Sequence, residues 1–140
     1  MRDTETKDSP SCSWGYIHTA LFVMGILTFG FLDAFTAALM MEKFGAGAEF
    51  NPLTRVLFLT RGMAGFITFK VLTAVLILSV PFLLYKREGM HWTTAGFLSV
   101  FAVSEAVAAM NNYIFLMSGL VWVEPGIMAL TVLLAVAAVL

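Results

Sequence analysis

Eight residues in this sequence have side chains suited to chemistry yet sit in or beside strongly apolar runs: Asp33, Thr36, Glu49, Asn51, Lys70, Glu105, Asn111 and Asn112. An ionised group at mid-bilayer costs at least ~2.5–3.5 kcal/mol on insertion scales, so it persists only when paired, hydrogen-bonded or facing water. Asp33 lies nine residues before Glu42, where its apolar run ends. At helical rise that is about 14 Å below the surface carrying the first loop. Lys70 lies eight residues after Gly62, about 12 Å below the same surface. Opposite charges at matching depth on neighbouring helices can pair. Thr36 is three residues on from Asp33 and shares its face, which lets its hydroxyl donate to the carboxylate. Asn111 and Asn112 come roughly 9–10 Å below that surface from the third run. Glu105 shares a face with Asn112 and lies closer to the bilayer centre. Without a cation of its own, it is the best single candidate for binding a proton or a cation. Glu49 and Asn51 lie on the first loop and are expected to fold over this layer as a lid.

The layer has two readings. Buried polar residues glue membrane helices together at ~0.6 kcal/mol per hydrogen bond, and an Asp33–Lys70 pair can fix helix register without binding anything. The same residues can instead form a ligand or ion site.

The elements that must hold them follow from composition. Hydrophobic residues make up 60% of the 140 and charged residues 12%, against roughly 25% charged in soluble domains. A water-soluble bundle this small would leave too much apolar surface uncovered, so an all-α integral membrane bundle is expected. Residues 1–14 read as a flexible polar tail and residues 15–140 as one transmembrane helical domain. Four spans are expected: Ile17 to Met41, Gly62 to Tyr85, Trp92 to Ser118, and a short fourth from Glu124-Pro125 to Leu140. Trp14, Tyr16 and Trp122 stand where interfacial anchors belong. Asn51-Pro52 has the form of a helix start, N-cap followed by Pro at the first position. It opens a short helix over Leu53 to Thr60, interfacial or re-entrant, in the first loop. Pro81 is expected to bend the second span and Gly119 to cap the third.

Much chemistry has no basis in the residues. There is no basic patch, and the net charge is -1, so no nucleic-acid partner is indicated. The single cysteine, Cys12, can make no internal disulfide. No phosphate loop, GxSxG or HExxH occurs. His18 reads as a solvated interfacial imidazole rather than a metal ligand, with His91 near the same surface. No metal site and no cofactor are indicated. The long apolar run after a mixed-charge start does not fit a cleavable signal. Four basic residues on the terminal side (Arg2, Lys7, Lys86, Arg87) against three on the other (Lys43, Arg55, Arg61) tilt the termini toward the cytoplasm.

Asp33-x-x-Thr36, then Gly47-x-Glu49-x-Asn51-Pro52-Leu53, then Lys70, resembles a family of small archaeal and bacterial membrane proteins of unknown function. The similarity covers roughly residues 20–115. It implies three or four spans, an Asp in the first, an E-x-N-P loop, a Lys in the second and an Asn in the third. It implies residence in a prokaryotic cell membrane, and no reaction.

Three functions are compatible with these residues. The first is a non-enzymatic structural or accessory subunit, packed against other membrane subunits or copies of itself. The second is a small-solute or ion transporter, acting as an oligomer through the Asp33–Lys70–Glu105 layer. The third is a lipid-modifying enzyme with Glu49 and Asp33 as acid and base and Asn51 orienting the substrate.

Overall fold

The computed structural model describes residues 11–87, 89–121, 123 and 125–139. Residues 1–10 of the expected tail, together with Glu88, Trp122, Glu124 and Leu140, lie outside the described residues.

Helix α1 (Ser11–Gly25) passes through a π-helical segment (Ile26–Asp33) into α2 (Ala34–Phe44). Gly25, Asp33 and Ala34 all keep right-handed helical backbone, so the three segments form one continuous rod. It begins at Ser11, inside the stretch read as tail. A 3-10 turn (Ala46–Ala48) follows, then α3 (Pro52–Leu84), α4 (His91–Ser118) and α5 (Pro125–Val139).

The sequence explains these boundaries. Asn51 accepts from the Leu53 amide at 3.0 Å, with Pro52 in the first turn. This meets the orphan donors of the helix start. At the far end of α4, Gly119 takes a left-handed conformation and returns its amide to Phe115 O at 2.8 Å.

Among the described residues three helices are long and apolar enough to cross a membrane: Trp14–Phe44, Pro52–Leu84 and His91–Ser118, with mean hydropathies of 1.8, 2.2 and 1.4. α5 has 15 residues, about 22 Å of helix, which is shorter than the ~30 Å hydrocarbon layer. It is not among the three.

At 33 residues α3 is longer than a bilayer needs. It is broken at Gly62, whose φ of 66° and ψ of -175° depart from helix. Glycine reaches this backbone without a Cβ penalty. The break separates a short arm, residues 52–61, from residues 63–84. Helical geometry continues through Pro81, so the break lies at Gly62 and not at the proline. On the arm, Leu57 and Phe58 pack with Met63 and Ile67 onto a core of Ala34, Ala37, Ala38, Met41 and Phe66.

Elsewhere the helix contacts are made by small residues. Ala74, Ala95, Ala102, Ala108 and Ala109 are buried, as expected where helices associate by close packing. Gly30 marks a close approach to the backbone of α3. A Cβ there would stand 3.1 Å from Ala74 Cβ and 3.3 Å from Val71 Cα. The outward faces are apolar: Leu72, Leu76, Val80 and Leu83 of α3 are all exposed.

Candidate functional site

The π-helical segment ends on Asp33, and Asp33 is where the helices converge. Its side chain is buried. Oδ2 pairs with Lys70 Nζ from α3. Oδ1 accepts from Asn112 Nδ2 of α4 at 3.0 Å. One carboxylate thus joins three helices, with both oxygens engaged. The lysine ammonium also lies 5.9 Å from the ring centres of both Phe29 and Phe66, the outer reach of a cation–π contact.

Thr36 stands beside this group in a different role from the one its spacing suggested. Its hydroxyl donates within its own helix, toward Leu32 O at 3.0 Å and Asp33 O at 3.1 Å. A hydroxyl has one hydrogen, so the carboxylate receives none from Thr36. Instead Asn112 Nδ2 lies 3.5 Å from the Thr36 oxygen. Glu105 sits within electrostatic range of both Asp33 and Lys70. No hydrogen bond or ion pair to it occurs among the described residues.

The remaining candidates fall elsewhere. Neighbouring helix positions differ by about 100° of rotation, and this separates the two asparagines. Asn112 turns to Asp33, whereas Asn111 is buried and grips the backbone ahead of α5. Asn111 Nδ2 donates to Val123 O at 3.2 Å, and Val123 N donates to Asn111 Oδ1 at 3.0 Å. Asn51 is spent as the helix cap and is exposed. Glu49 Oε1 accepts from the Asn51 amide at 2.9 Å. Arg55 donates to the Glu49 carbonyl rather than to its carboxylate. The E-x-N-P loop therefore hydrogen-bonds largely within itself; Glu49 lies within electrostatic range of Lys70, but among the described residues no hydrogen bond joins the loop to the Asp33–Lys70 pair. Glu49 and Asn111 come together at a separate cavity beside the loop.

A second polar node lies at the other end of the bundle, and little in the residue pattern points to it. His18, read as solvated, is fully buried. Its Nδ1 stands 2.8 Å from Trp14 O. Its Nε2 stands 2.8 Å from Thr94 Oγ1 and 3.0 Å from His91 O. Each ring nitrogen faces a carbonyl, and a carbonyl only accepts, so whichever nitrogen bonds its carbonyl does so as the donor. Tyr85 stacks on the imidazole at 4.5 Å between centres, and Trp14 stacks on His91 at 5.6 Å. His91 Nδ1 is buried without a hydrogen-bond partner among the described residues. The available signal was a gathering of Trp14, Tyr85, His91 and Trp92 around one end of the apolar runs. Among the described residues no three His, Cys, Asp or Glu side chains are grouped to hold a metal ion.

Taken together, the fold and site define an all-helical protein with three membrane-length apolar helices tied by one acid–base–amide contact. The chain belongs to the family DUF5658, a domain of unknown function, which it matches over residues 24–119. That stretch holds all eight candidate residues, and leaves out His18 and α5. No curated protein and no solved structure matches the chain.

Proposed function

We propose that this protein is a small integral membrane subunit with a structural or accessory role. In this reading the three long helices cross the bilayer, and the Asp33–Lys70–Asn112 contact is an intramembrane clamp that fixes their register. The observation that carries it is the closure of the clamp. Both Asp33 oxygens are already satisfied by other helices, so the group is neutralised rather than held open for a ligand. The short arm, with Leu57 and Phe58 packed on α2, is read as an interfacial or re-entrant piece. α5 is read as a fourth, thin or partial crossing. The exposed apolar faces and the lack of extensive loops suit packing against other membrane subunits or further copies of the chain. The test is size after extraction in mild detergent. A particle well above the 15.3 kDa of one chain is expected, and a clean monomer would overturn the proposal.

Glu105 favours a second reading. It is a carboxyl beside a closed ion pair, with no hydrogen bond of its own among the described residues, which suits a proton- or cation-carrying step in an oligomeric transporter. Flux into proteoliposomes that is lost in Glu105→Gln and kept in a surface control supports it; equal flux in both removes it. The enzyme reading loses ground. Among the described residues Asp33 and Glu49 belong to separate hydrogen-bonded groups, which gives an acid–base pair less support.

A further inference from the structure

The cavity beside the first loop has a composition that neither reading uses. It encloses about 190 Å³ and is lined by Met40, Gly47, Glu49, Phe50, Asn111 and Phe115, among others. At ~30 Å³ per water in the liquid, that is room for roughly six waters, or for a small polar headgroup. It lies at the loop end of α2 and α4, the level of a lipid headgroup if the long helices cross a bilayer.

Glu49 supplies the charge. An ionised carboxylate offers about four lone-pair sites, and the Asn51 amide is the one hydrogen-bond donor to it among the described residues. The nearby cations are committed elsewhere: Lys70, within electrostatic range of Glu49, is paired with Asp33. Arg55 donates to the Glu49 backbone carbonyl. Lys43 donates to Leu116 O at 2.6 Å and lies 5.1 Å from the Phe44 ring centre. The walls include two aromatic rings. Phe115 is braced edge-on by Phe44 at 5.0 Å, and Phe50 is largely exposed. A carboxylate with aromatic faces in a small, half-open cavity is the chemistry that recognises organic ammonium groups. The rings meet the cation's charge and its carbon skin, and the carboxylate adds a charge-assisted contact. An anion would meet the Glu49 charge.

We propose that this cavity binds an alkylammonium group, through Glu49 with Phe50 and Phe115. Two sources share that chemistry: a zwitterionic lipid headgroup and a free amine such as ethanolamine or choline. The test uses the full chain purified in detergent micelles. Retention of phosphatidylethanolamine, phosphatidylcholine and phosphatidylglycerol with matched acyl chains is read by native mass spectrometry. The wild type is expected to hold one of the two ammonium lipids about tenfold more tightly than phosphatidylglycerol, and Glu49→Gln to erase that preference. Displacement of the lipid by millimolar choline or ethanolamine would show that the free amine suffices. Lipid that resists both amines would assign the bilayer as the source. Equal retention of phosphatidylglycerol, or an undiminished preference in Glu49→Gln, would overturn the proposal. Should Glu49→Gln fail to fold, Phe50→Ala takes its place, because that ring is mostly exposed. A folded Phe50→Ala with undiminished preference overturns the proposal equally.

Discussion

In one layer of the bundle Asp33, Lys70 and Asn112 meet from three helices. At the far end, some 22 Å of helix away by residue count, His18 meets His91 and Thr94, with Trp14 and Tyr85 closing over it. Both nodes bury polar groups where the helices converge, and they satisfy them differently. The first sets a charge against a charge, then uses an amide for the remaining oxygen. The second surrounds an imidazole with backbone carbonyls, one hydroxyl and aromatic rings. The difference lies in what is left behind when one partner is lost. Removing a cation from the first node strands a buried anion. Removing the imidazole from the second strands only neutral groups, some with other bonds available: Thr94 also donates toward Met90 O at 2.8 Å.

This contrast predicts unequal losses. Lys70→Met should be the most damaging single change, at about 3–5 kcal/mol, because Asp33 keeps its charge without its partner. The double variant Asp33→Asn with Lys70→Met should recover much of that loss, since no ion is then stranded. Unfolding by graded denaturing detergent in micelles measures both. A single-variant loss below about 1 kcal/mol would mean that Asp33 finds water or another cation, and the contrast would fail. His18→Leu should cost less, about 1–3 kcal/mol, the range for leaving neutral buried groups unpaired. The same measurement ranks it. If His18→Leu equalled or exceeded Lys70→Met, the imidazole node would be the stronger tie.

The two nodes also differ in how far the sequence announces them. Asp33 and Lys70 could be matched because helical rise converts residue counts into depth, and opposite charges at equal depth have few other partners. The Asn51-Pro52 cap was equally plain, because capping is decided within three residues. Rotation and loop path were not readable. Depth alone could not separate Asn111 from Asn112, since one step along a helix turns the side chain by about 100°. Glu49 looked like a lid because a loop's path depends on contacts from several elements. The π-helical segment ahead of Asp33 carries no periodic signal of its own, yet it changes which face Asp33 presents. His18 was misread because its burial is made by rings from α1, the end of α3 and the start of α4. A residue seven positions after a helix start looks solvated until those rings are assembled.

A close backbone contact between helices lies between these nodes and gives a smaller, sign-sensitive prediction. Replacing a helical glycine by alanine ordinarily gains up to about 1 kcal/mol. At Gly30 the new methyl would press on Val71 Cα, which is backbone and cannot swing aside. Gly30→Ala should therefore destabilise, by about 1 kcal/mol. A gain in the same unfolding assay would show that the π-helical segment can shift away from α3, and that the nodes are not held at a fixed spacing.

The smallest expected effect separates adjacent residues. Asn112→Ala removes one donor from Asp33 but leaves the Lys70 pair intact, so it should cost about 0.6 kcal/mol and no more than about 1.7. Asn111→Ala removes both bonds to Val123 and leaves the Asp33 node untouched. Its signature is local rather than global: faster hydrogen exchange at the Val123 amide and ahead of α5, with little change at Lys70. The two variants should also behave differently in a Lys70→Met background. Asn112 is then the remaining side-chain donor to Asp33, and its loss should cost more than in the wild type, because hydrogen bonds to an unpaired charge are worth about 1.5–3 kcal/mol. Asn111→Ala, with no part in that node, should add its wild-type cost unchanged. Equal coupling of both asparagines to Lys70 would mean that the α5 connection and the ion pair act as one unit, and that the charged node extends to the far side of α4.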